Sequence, residues 1–341
     1  FPQKSWDPYW YQGKILKKIL FTGPYVLELE ESAFGNTRMT LYTQKYANIR
    51  KTWLLMAAFL GLVIGIGWVL SRAYGNPSLL YLAVGLSIFM NVLSYWFSDK
   101  IVLALHRAQP VDMQHNPELL RLVENLAITA GLPMPRVYII DDPAPNAFAT
   151  GRNPQHAVVA VTTGLLRILD RSELEGVLAH ELSHIGNRDM LVSTVAVVLV
   201  GCVSIVSDLF MRSVWWGRLG GDEDRGRANA IFLLIGIILS ILAPLIASLI
   251  HLAISRRREF LADASGALLT RYPDALASAL EKIASYGRPL RTATNATAHL
   301  FLENPFGADH KGERKTPWII RIFSTHPPIK ERISALRGER V

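Results

Sequence analysis

HELSH, at His180–His184, places two histidines four positions apart in a segment whose pattern predicts a helix. Residues i and i+4 of a helix are neighbours on one face, so both imidazoles can reach one metal ion. Glu181 follows the first histidine, about 100° further round the helix, where a carboxylate can act as a base beside the metal. This stretch therefore predicts a metal centre carried by a helix.

Four uncharged apolar stretches predict that the chain enters a membrane. The 341 residues are 50% hydrophobic and have a mean hydropathy of +0.22, which is unusual for a soluble globular protein. Each stretch is long enough to span, because about 20 apolar residues cross the hydrocarbon core. They form two pairs, Thr52–Ser71 with Gly75–Ser98, and Met190–Ser207 with Ala228–Ile250. An alternative for the second pair is a buried helical hairpin that rests on the bilayer.

Basic residues beside the first pair predict its orientation. They flank both ends, while the loop between the two stretches carries only Arg72. The flanking residues are Lys45, Arg50, Lys51, Lys100 and Arg107. The positive-inside rule then places both ends of this hairpin in the cytosol. Arginines between the third and fourth stretches oppose full spanning by the second pair.

The charge balance excludes some classes of partner. The formal net charge is +8, but the basic residues are dispersed or lie beside apolar stretches, where they suit anionic head groups. No basic stripe interleaved with aromatics occurs, so we expect no nucleic-acid partner. Cys202 is the only cysteine, which excludes an intrachain disulfide and a cysteine-based metal site. This agrees with a reducing, cytosol-facing catalytic part.

A second motif, REFLAD at Arg258–Asp263, repeats the i, i+4 spacing with Glu259 and Asp263. Catalytic zinc needs three protein ligands and an open position, and Glu259 is the best candidate to join His180 and His184. A helical hairpin between the motifs would bring both ligand helices together at the membrane surface. Asp263 would accept a hydrogen bond from a ligand imidazole and fix its orientation. The sequence thus predicts one zinc ion per chain.

The segments around these motifs predict an α+β catalytic part. Ser172 and Glu175 match a capping box for the helix that carries HELSH, and Asn146–Gly151 is typical of a turn. Further helices are expected at Pro117–Gly131, Arg257–Leu269 and Asp274–Tyr286, strands at Arg136–Ile140 and Ala157–Thr162, and a flexible loop at Asn304–Pro317.

We expect five segments along the chain. They are an N-terminal segment 1–51, a transmembrane hairpin 52–98, a first catalytic part 99–189, a transmembrane or membrane-associated hairpin 190–254, and a second catalytic part 255–341. Met39 opens a segment that leads into the first apolar stretch. We therefore expect Met39 to be the natural start, and 1–38 to be a tag, an upstream extension or a mis-called start.

Peptide hydrolysis passes through a tetrahedral intermediate whose oxyanion is stabilised by an extra donor or cation. His326 and Arg332, within STHPPIKERI, are candidates for that role. Glu181 would accept the proton of the attacking water as the general base. The ordinary alternative for His326 is a loop residue, and for Arg332 a residue on a solvated helix face.

Five segments, in order, resemble the HtpX family of membrane-bound zinc metalloproteases, relatives of the type-1 CAAX prenyl proteases. They are LYTQKYANIRKTW, NAFATG, HELSHIGNRD, SRRREFLADASGA and STHPPIKERI, and the similarity runs from about Met39 to Arg337. The resemblance implies a gluzincin-type domain with a small β-sheet. It also implies that zinc is held by His180, His184 and Glu259, with Glu181 as the base.

NAFATG, with the strand after it, looks like the substrate-binding edge of that family. An extended substrate could add a strand there and bond through backbone groups. We expect Asn146 and the residues Ala157, Val158 and Val159 to make that contact.

The resemblance further implies cytosolic catalysis at the inner cell membrane and protein quality control under stress. We therefore expect a mainly α, multi-pass membrane protein with two transmembrane hairpins that cleaves cytosol-exposed segments of misfolded membrane proteins. Its partners would be such polypeptides and the lipid bilayer. Two alternatives stay open: a prenyl-protein processing protease, which would need more membrane helices to enclose a chamber, and a non-catalytic membrane adaptor with a vestigial site.

Overall fold

The computed structural model describes residues 41–199, 201, 256–286, 290–291, 300–302 and 327–339. Several sequence predictions fall outside these residues. They concern the extension 1–38, most of the second apolar pair, the loop 304–317 and His326. The described residues form a mostly helical protein with one small mixed sheet.

A long helical hairpin begins the described chain. Helix α1 spans Leu41–Tyr74 and α2 spans Ser78–Leu105, joined by a turn in which Gly75 adopts a φ of +61°. The segments Tyr46–Arg72 and Ser78–Leu105 are long and apolar enough to cross a membrane. Large apolar side chains, such as Leu54 at 71% exposure, lie on the outer surface of the hairpin. Lipid would cover that surface, because water-facing apolar patches of this kind are unfavourable.

The sheet has four strands in the order β1-β2-β4-β3. The strands are β1 Gln109–Pro110, β2 Arg136–Ile140, β3 Ala147–Thr150 and β4 Val158–Thr162. Strand β4 pairs in parallel with β2 and antiparallel with β3, so it lies inside the sheet and all five of its residues are buried. The turn predicted over 146–151 is wrong, because Ala147–Thr150 forms the edge strand β3. Its short apolar run pairs with β4, and tertiary pairing outweighs the local turn pattern.

Two helices flank the sheet before the motif helix. Helix α3 spans Pro117–Thr129, so the helix predicted over 117–131 is confirmed but ends two residues earlier, and Asn116 is its N-cap. Helix α4 spans Thr163–Ile168 with Thr162 as its N-cap. A 3₁₀ turn, Pro154–His156, connects β3 to β4. The apolar face of α3 packs into the main core with the sheet. These elements form the wall against which the motif helix rests.

Helix α5, Arg171–Gly186, carries HELSH and is buried on most of its faces. Its capping box is formed by Asp170 and Glu173, and not by Ser172 and Glu175 as predicted. The Ser172 hydroxyl instead donates a hydrogen bond of 2.7 Å to the Asp170 carboxylate. The Glu173 carboxylate also accepts bonds from Ser278 and Lys282 at 2.7 and 2.6 Å, which ties the start of α5 to a later helix.

Four more helices complete the described fold. They are α6 Asp189–Leu199, α7 Arg256–Thr270, α8 Pro273–Tyr286 and α9 Ile329–Arg337. Both α7 and α8 pack on α5, and α9 packs on both of them. The approach to α5 is close at two glycines, because an added Cβ on Gly176 would lie 3.0 Å from Leu276 N and one on Gly266 would lie 3.0 Å from His180 N. The predicted helices over 257–269 and 274–286 are thus confirmed.

Candidate active site

Three side chains converge where α5 and α7 cross. His180 and His184 share one face of α5, and their Nε2 atoms lie 3.1 Å apart. Glu259, in the first turn of α7, places its carboxylate oxygens 3.8 Å from His180 Nε2 and 3.7 Å from His184 Nε2. The three ligand atoms lie within 4.8 Å of one another. Zinc bonds of about 2.0–2.1 Å in a tetrahedron separate two nitrogens by roughly 3.3 Å, so this donor set fits one such ion.

Asp263 lies one turn after Glu259 and holds the first histidine. Its Oδ1 is 2.9 Å from His180 Nδ1, as the i, i+4 spacing predicted. This bond leaves Nε2 of the same ring directed at the shared point. Burial opposes ionisation of Asp263, but the neighbouring Arg332 guanidinium outweighs it and lowers the pKa of this carboxyl group. Asp263 therefore stays ionised inside the protein.

Arg332 is fully buried and is turned toward Asp263. Its Nη2 and Nε donate bonds of 2.6 and 2.8 Å to the two oxygens of Asp263, and Nη1 donates one of 3.1 Å to the Leu302 carbonyl. Nη1 also lies 3.8 Å from Glu259 Oε2. Its burial excludes the alternative that Arg332 lies on a solvated helix face. The guanidinium has no exposed surface, and its bonds hold Asp263 and the segment 300–302 in position. A contact between Arg332 and a substrate oxyanion stays a prediction.

Asp189 holds the second histidine, and the sequence reasoning did not find it. It begins α6, just after the turn that ends α5, and its Oδ2 is 3.2 Å from His184 Nδ1. Burial lowers the pKa of His184, but the bond to Asp189 and the charge of Glu259 outweigh it and raise that pKa to about 9. The same negative charges favour a divalent cation. The signal was present in HELSHIGNRD, where a buried carboxylate follows the histidine by five positions.

Glu181 lies beside the three converging side chains and is 2% exposed. Burial raises the pKa of its carboxyl group to about 7; the positive charge of a protonated His184 opposes this rise, and the negative charge of Glu259 adds to it. The backbone N–H of Ala149 in β3 faces this carboxylate and opposes the rise of its pKa. A carboxylate poised near neutrality and fixed beside a metal-ligand cluster is suited to accept and return a proton.

These groups lie in a cleft of about 420 Å³, a volume that includes space open to solvent. It is lined by His180, Glu181, His184 and Glu259, by Asp189, Met190, Ser193 and Arg258, and by Ala149 and residues 300–302. The edge strand β3 therefore borders the cleft through Ala149. Residues from the start of α6 also line it.

The predicted substrate edge at Ala157, Val158 and Val159 is misplaced. Strand β4 has a hydrogen-bonded neighbour on each side, and the Ala157 carbonyl accepts a bond from Arg136 N. Its backbone groups are thus engaged within the sheet, and the edge beside the cleft is β3. Asn146 immediately precedes β3 and is buried, with its N–H bonded to Thr162 Oγ1 at 2.9 Å. Its contact with a substrate stays a prediction, as does any role of His326, which lies outside the described residues.

Two imidazoles and a carboxylate around one point, with a buried glutamate beside them, define the site of a metal-dependent peptidase of the HExxH class. Two membrane-length helices in the same chain anchor this site to a lipid bilayer. The class is therefore a membrane-bound metallopeptidase.

Comparison with known proteins gives the family. The model of peptidase family M48 matches residues 113–340, well over half of the chain, so the chain belongs to peptidase family M48. It is similar to the protein described as "Protease HtpX homolog" in Caldanaerobacter subterraneus subsp. tengcongensis, with 45% identity over 89% of this chain and 99% of that protein. The protein so described in Pyrococcus furiosus is 50% identical over 84% of this chain and 94% of its own length.

A solved structure, the crystal structure of S. mikatae Ste24p, also resembles the chain. The TM-score is 0.48 with 19% identity, covering 87% of this chain and 66% of that one. The family assignment rests on the M48 match and the two relatives above.

Proposed function

We propose that this protein is a zinc-dependent endopeptidase that cleaves cytosol-exposed segments of misfolded membrane proteins as part of quality control under stress. The observation that carries the proposal is the convergence of His180, His184 and Glu259, with ligand atoms within 4.8 Å of one another. Both imidazoles are also bonded through Nδ1 to buried carboxylates. Such outer bonds fix the ring orientation that a zinc ligand needs.

Each side chain then has a distinct role. His180, His184 and Glu259 would hold one zinc ion. When bound, zinc supplies Lewis-acid activation of water and of the scissile carbonyl. Glu181 accepts the proton from the attacking water and returns it to the leaving amine, which its burial favours. Asp263 and Asp189 keep the two imidazoles in place.

Strand β3 is the edge that would receive the substrate. In an antiparallel strand the N–H and C=O of one residue point to the same side. Ala149 N–H faces Glu181 and the Ala147 carbonyl accepts a bond from Leu302 N at 3.1 Å, so both residues direct their backbone groups away from β4. Among the residues that the structure describes, none outside the sheet donates to the Ala149 carbonyl, which an added strand could therefore bond at the cleft. A substrate paired there lies beside the Glu181 carboxylate.

The position of the hairpin supports a site close to the bilayer. Helix α6 begins at the cleft and packs its apolar side chains on α1, with Leu191, Val195 and Leu199 clustered around Phe59. We propose that residues 190–254 form the second membrane hairpin of a gluzincin-type protein. The basic residues flanking the first hairpin support a catalytic face in the cytoplasm, at the inner cell membrane. Membrane proteins that expose unfolded cytosolic segments would reach such a site.

The proposed chemistry is tested by the Glu181→Gln variant. The purified full chain should retain about one zinc per chain, since Glu181 is not among the three ligands. Its cleavage of an unfolded membrane protein in proteoliposomes should fall by at least about 100-fold. Ser183→Ala, on the same helix, is the matched control, because among the described residues its hydroxyl bonds only to the Ala179 carbonyl within the helix. Unchanged cleavage by Glu181→Gln would exclude Glu181 as the base.

The proposed substrate class needs a separate test. The wild type should cleave unprenylated membrane proteins and leave a farnesylated CAAX peptide intact. Comparative proteomics of a strain carrying Glu181→Gln under heat stress should show accumulation of membrane proteins with cytosolic segments. Selective cleavage of the farnesylated peptide would instead favour the prenyl-processing alternative.

A further inference from the structure

Asn48 is a buried polar residue in the first membrane helix. It is 2% exposed, and it belongs to the segment LYTQKYANIRKTW, to which the proposed chemistry assigns no role. Polar side chains in membrane segments are unfavourable unless they are bonded, and they commonly mark functional sites. A buried amide at this position is therefore expected to have hydrogen-bond partners that compensate for its burial.

The partners of Asn48 lie at the far end of the HELSH helix. Its side-chain amide donates a bond of 2.6 Å to Asp189 Oδ1 and one of 3.1 Å to the Asn187 carbonyl. Asn187 is the C-cap of α5, and the next residue, Arg188, adopts a φ of +56° in a tight turn before α6. The amide thus bonds to both ends of this turn, although Asn48 lies on a helix about 140 positions earlier in the chain.

The two oxygens of Asp189 divide their contacts. Oδ1 accepts bonds from Asn48 and, at 3.2 Å, from Arg258 Nη1. Oδ2 faces His184 Nδ1. The orientation of the carboxylate, and through it that of the His184 imidazole, thus depends on what holds Oδ1. Asn48 makes the shorter of those two bonds.

We propose that Asn48 is a positioning residue of the metal site, orienting His184 through Asp189 from the first membrane helix. The proposal rests on the proposed role of His184 as a metal ligand. It means that docking of a membrane helix on the α5–α6 turn helps to set the affinity of the site for metal. The membrane hairpin is then a working part of the catalytic centre as well as its anchor.

Packing alone does not account for this contact. The hairpin already docks on α6 through the apolar cluster of Phe59, Leu191, Val195 and Leu199. Ser94 of α2 adds a bond of 3.4 Å to the Val195 carbonyl. An apolar residue at position 48 would satisfy docking of this kind without burying an amide. What the Asn48 amide adds to apolar docking is a hydrogen bond that fixes the orientation of the Asp189 carboxylate.

Metal affinity of the full chain in detergent micelles tests the proposal. Zinc binding is measured by competition with a chromophoric chelator, in a Glu181→Gln background that prevents self-cleavage, and Co²⁺ absorption reports the ligand geometry. Asn48→Ala should weaken zinc binding by about 10-fold and alter the Co²⁺ spectrum, at the lower end of the range for residues that orient metal ligands. Asn91→Ala is the matched control, because within the described part of the chain this buried asparagine of α2 donates only to the Ser87 carbonyl of its own helix.

Two further measurements separate positioning from simple loss of structure. With Glu181 present, Asn48→Ala should lower kcat by about 10-fold and leave KM unchanged. In an Asp189→Ala background, Asn48→Ala should change zinc affinity by less than about 2-fold, because residues that act through one another are not additive. The melting temperature of the metal-free variants monitors folding.

The outcomes are distinct. Wild-type zinc affinity and an unchanged Co²⁺ spectrum in the folded fraction of Asn48→Ala would overturn the proposal, even if that variant melted at a lower temperature. Full additivity with Asp189→Ala would also overturn it. Failure of both the wild type and Asn91→Ala to bind zinc would instead overturn the proposed function, and the role of Asn48 with it.

Discussion

Asp263 and Asp189 have the same task for different histidines, but they belong to different regions of the molecule. Asp263 lies on α7 and is fixed by two short bonds from Arg332 of α9. Asp189 begins α6 and is fixed by Asn48 of the membrane hairpin and by Arg258. One imidazole is anchored within the catalytic part and the other to the membrane side. The orientation of the two imidazoles therefore depends on both regions.

The sharpest test of this difference compares Asp263→Ala with Asp189→Ala. Both variants should weaken zinc binding by about 10- to 100-fold, because each releases one imidazole. Asp263→Ala should also lower the free energy of unfolding by about 3–5 kcal/mol, since it leaves the fully buried Arg332 without its main counter-charge. Asp189→Ala should destabilise less, because Arg258 makes only a single 3.2 Å contact with it and borders the cleft.

Denaturant titration and chelator competition on the same preparations measure the two effects. A double variant, Asp263→Ala with Arg332→Met, should recover stability without recovering zinc affinity, because it removes the unpaired charge but not the need to orient His180. Equal destabilisation by the two alanine variants would contradict the proposed difference between the regions.

The membrane side should respond to acid through His106. This residue follows α2 and its ring packs against Phe148 and Phe301, at centroid distances of 5.7 and 5.1 Å. Burial lowers its pKa from 6.5 to about 4, and the charge of Asp142 only partly opposes this. In the unfolded chain, His106 is protonated below about pH 6.5, whereas in the folded chain it is protonated only below about pH 4. Stability contributed by neutral His106 is present above pH 6.5 and is lost as pH falls toward 4, by roughly 3 kcal/mol in total.

The His106→Gln variant checks this expectation. Its melting temperature should depend less on pH than that of the wild type between pH 7 and pH 4.5, with both proteins metal-free. His115→Gln, at an exposed position, should keep the wild-type dependence. Parallel curves for the wild type and His106→Gln would exclude His106 as the source of acid sensitivity.

The smallest effect is expected where α7 approaches α5. A Cβ at Gly266 would lie 3.0 Å from His180 N and 3.2 Å from His180 Cα, and backbone atoms cannot move aside as a flexible side chain can. Gly266→Ala should therefore destabilise the protein by about 1–3 kcal/mol and move Glu259 relative to the histidines. In Gly186→Ala, the nearest atom to the new Cβ is Leu132 Cδ1 at 3.9 Å, an ordinary contact. Urea titration of both variants should show a loss only for Gly266→Ala.

The sequence predicted the site well where spacing determines geometry. His180, His184, Glu259 and Asp263 follow from two i, i+4 pairs on two helices that the chain brings back to one surface. The partners that hold these residues come from elsewhere in the chain. Nothing in the local pattern shows that Asn48 reaches Asp189, because that contact depends on how a membrane helix packs on a turn.

Local patterns failed where two alternatives overlapped. Asp170 with Glu173 and Ser172 with Glu175 both match a capping box, and the helix begins at the first because Glu173 also gains bonds to Ser278 and Lys282 of α8. The local sequence NAFATG is typical of a turn, but its residues form strand β3 because they pair with β4. In both cases a tertiary contact decides between conformations of similar local preference.

The shortness of β3 has a consequence for selectivity. A four-residue edge spans about 13 Å and recognises backbone groups, so it demands an open, extended conformation more than any particular side chains. Natively folded polypeptides keep their main-chain groups occupied and offer few such stretches. Unfolding would expose a strand-length piece of backbone and so make a protein a substrate. One such peptidase could then cleave many unrelated proteins that share no recognition sequence.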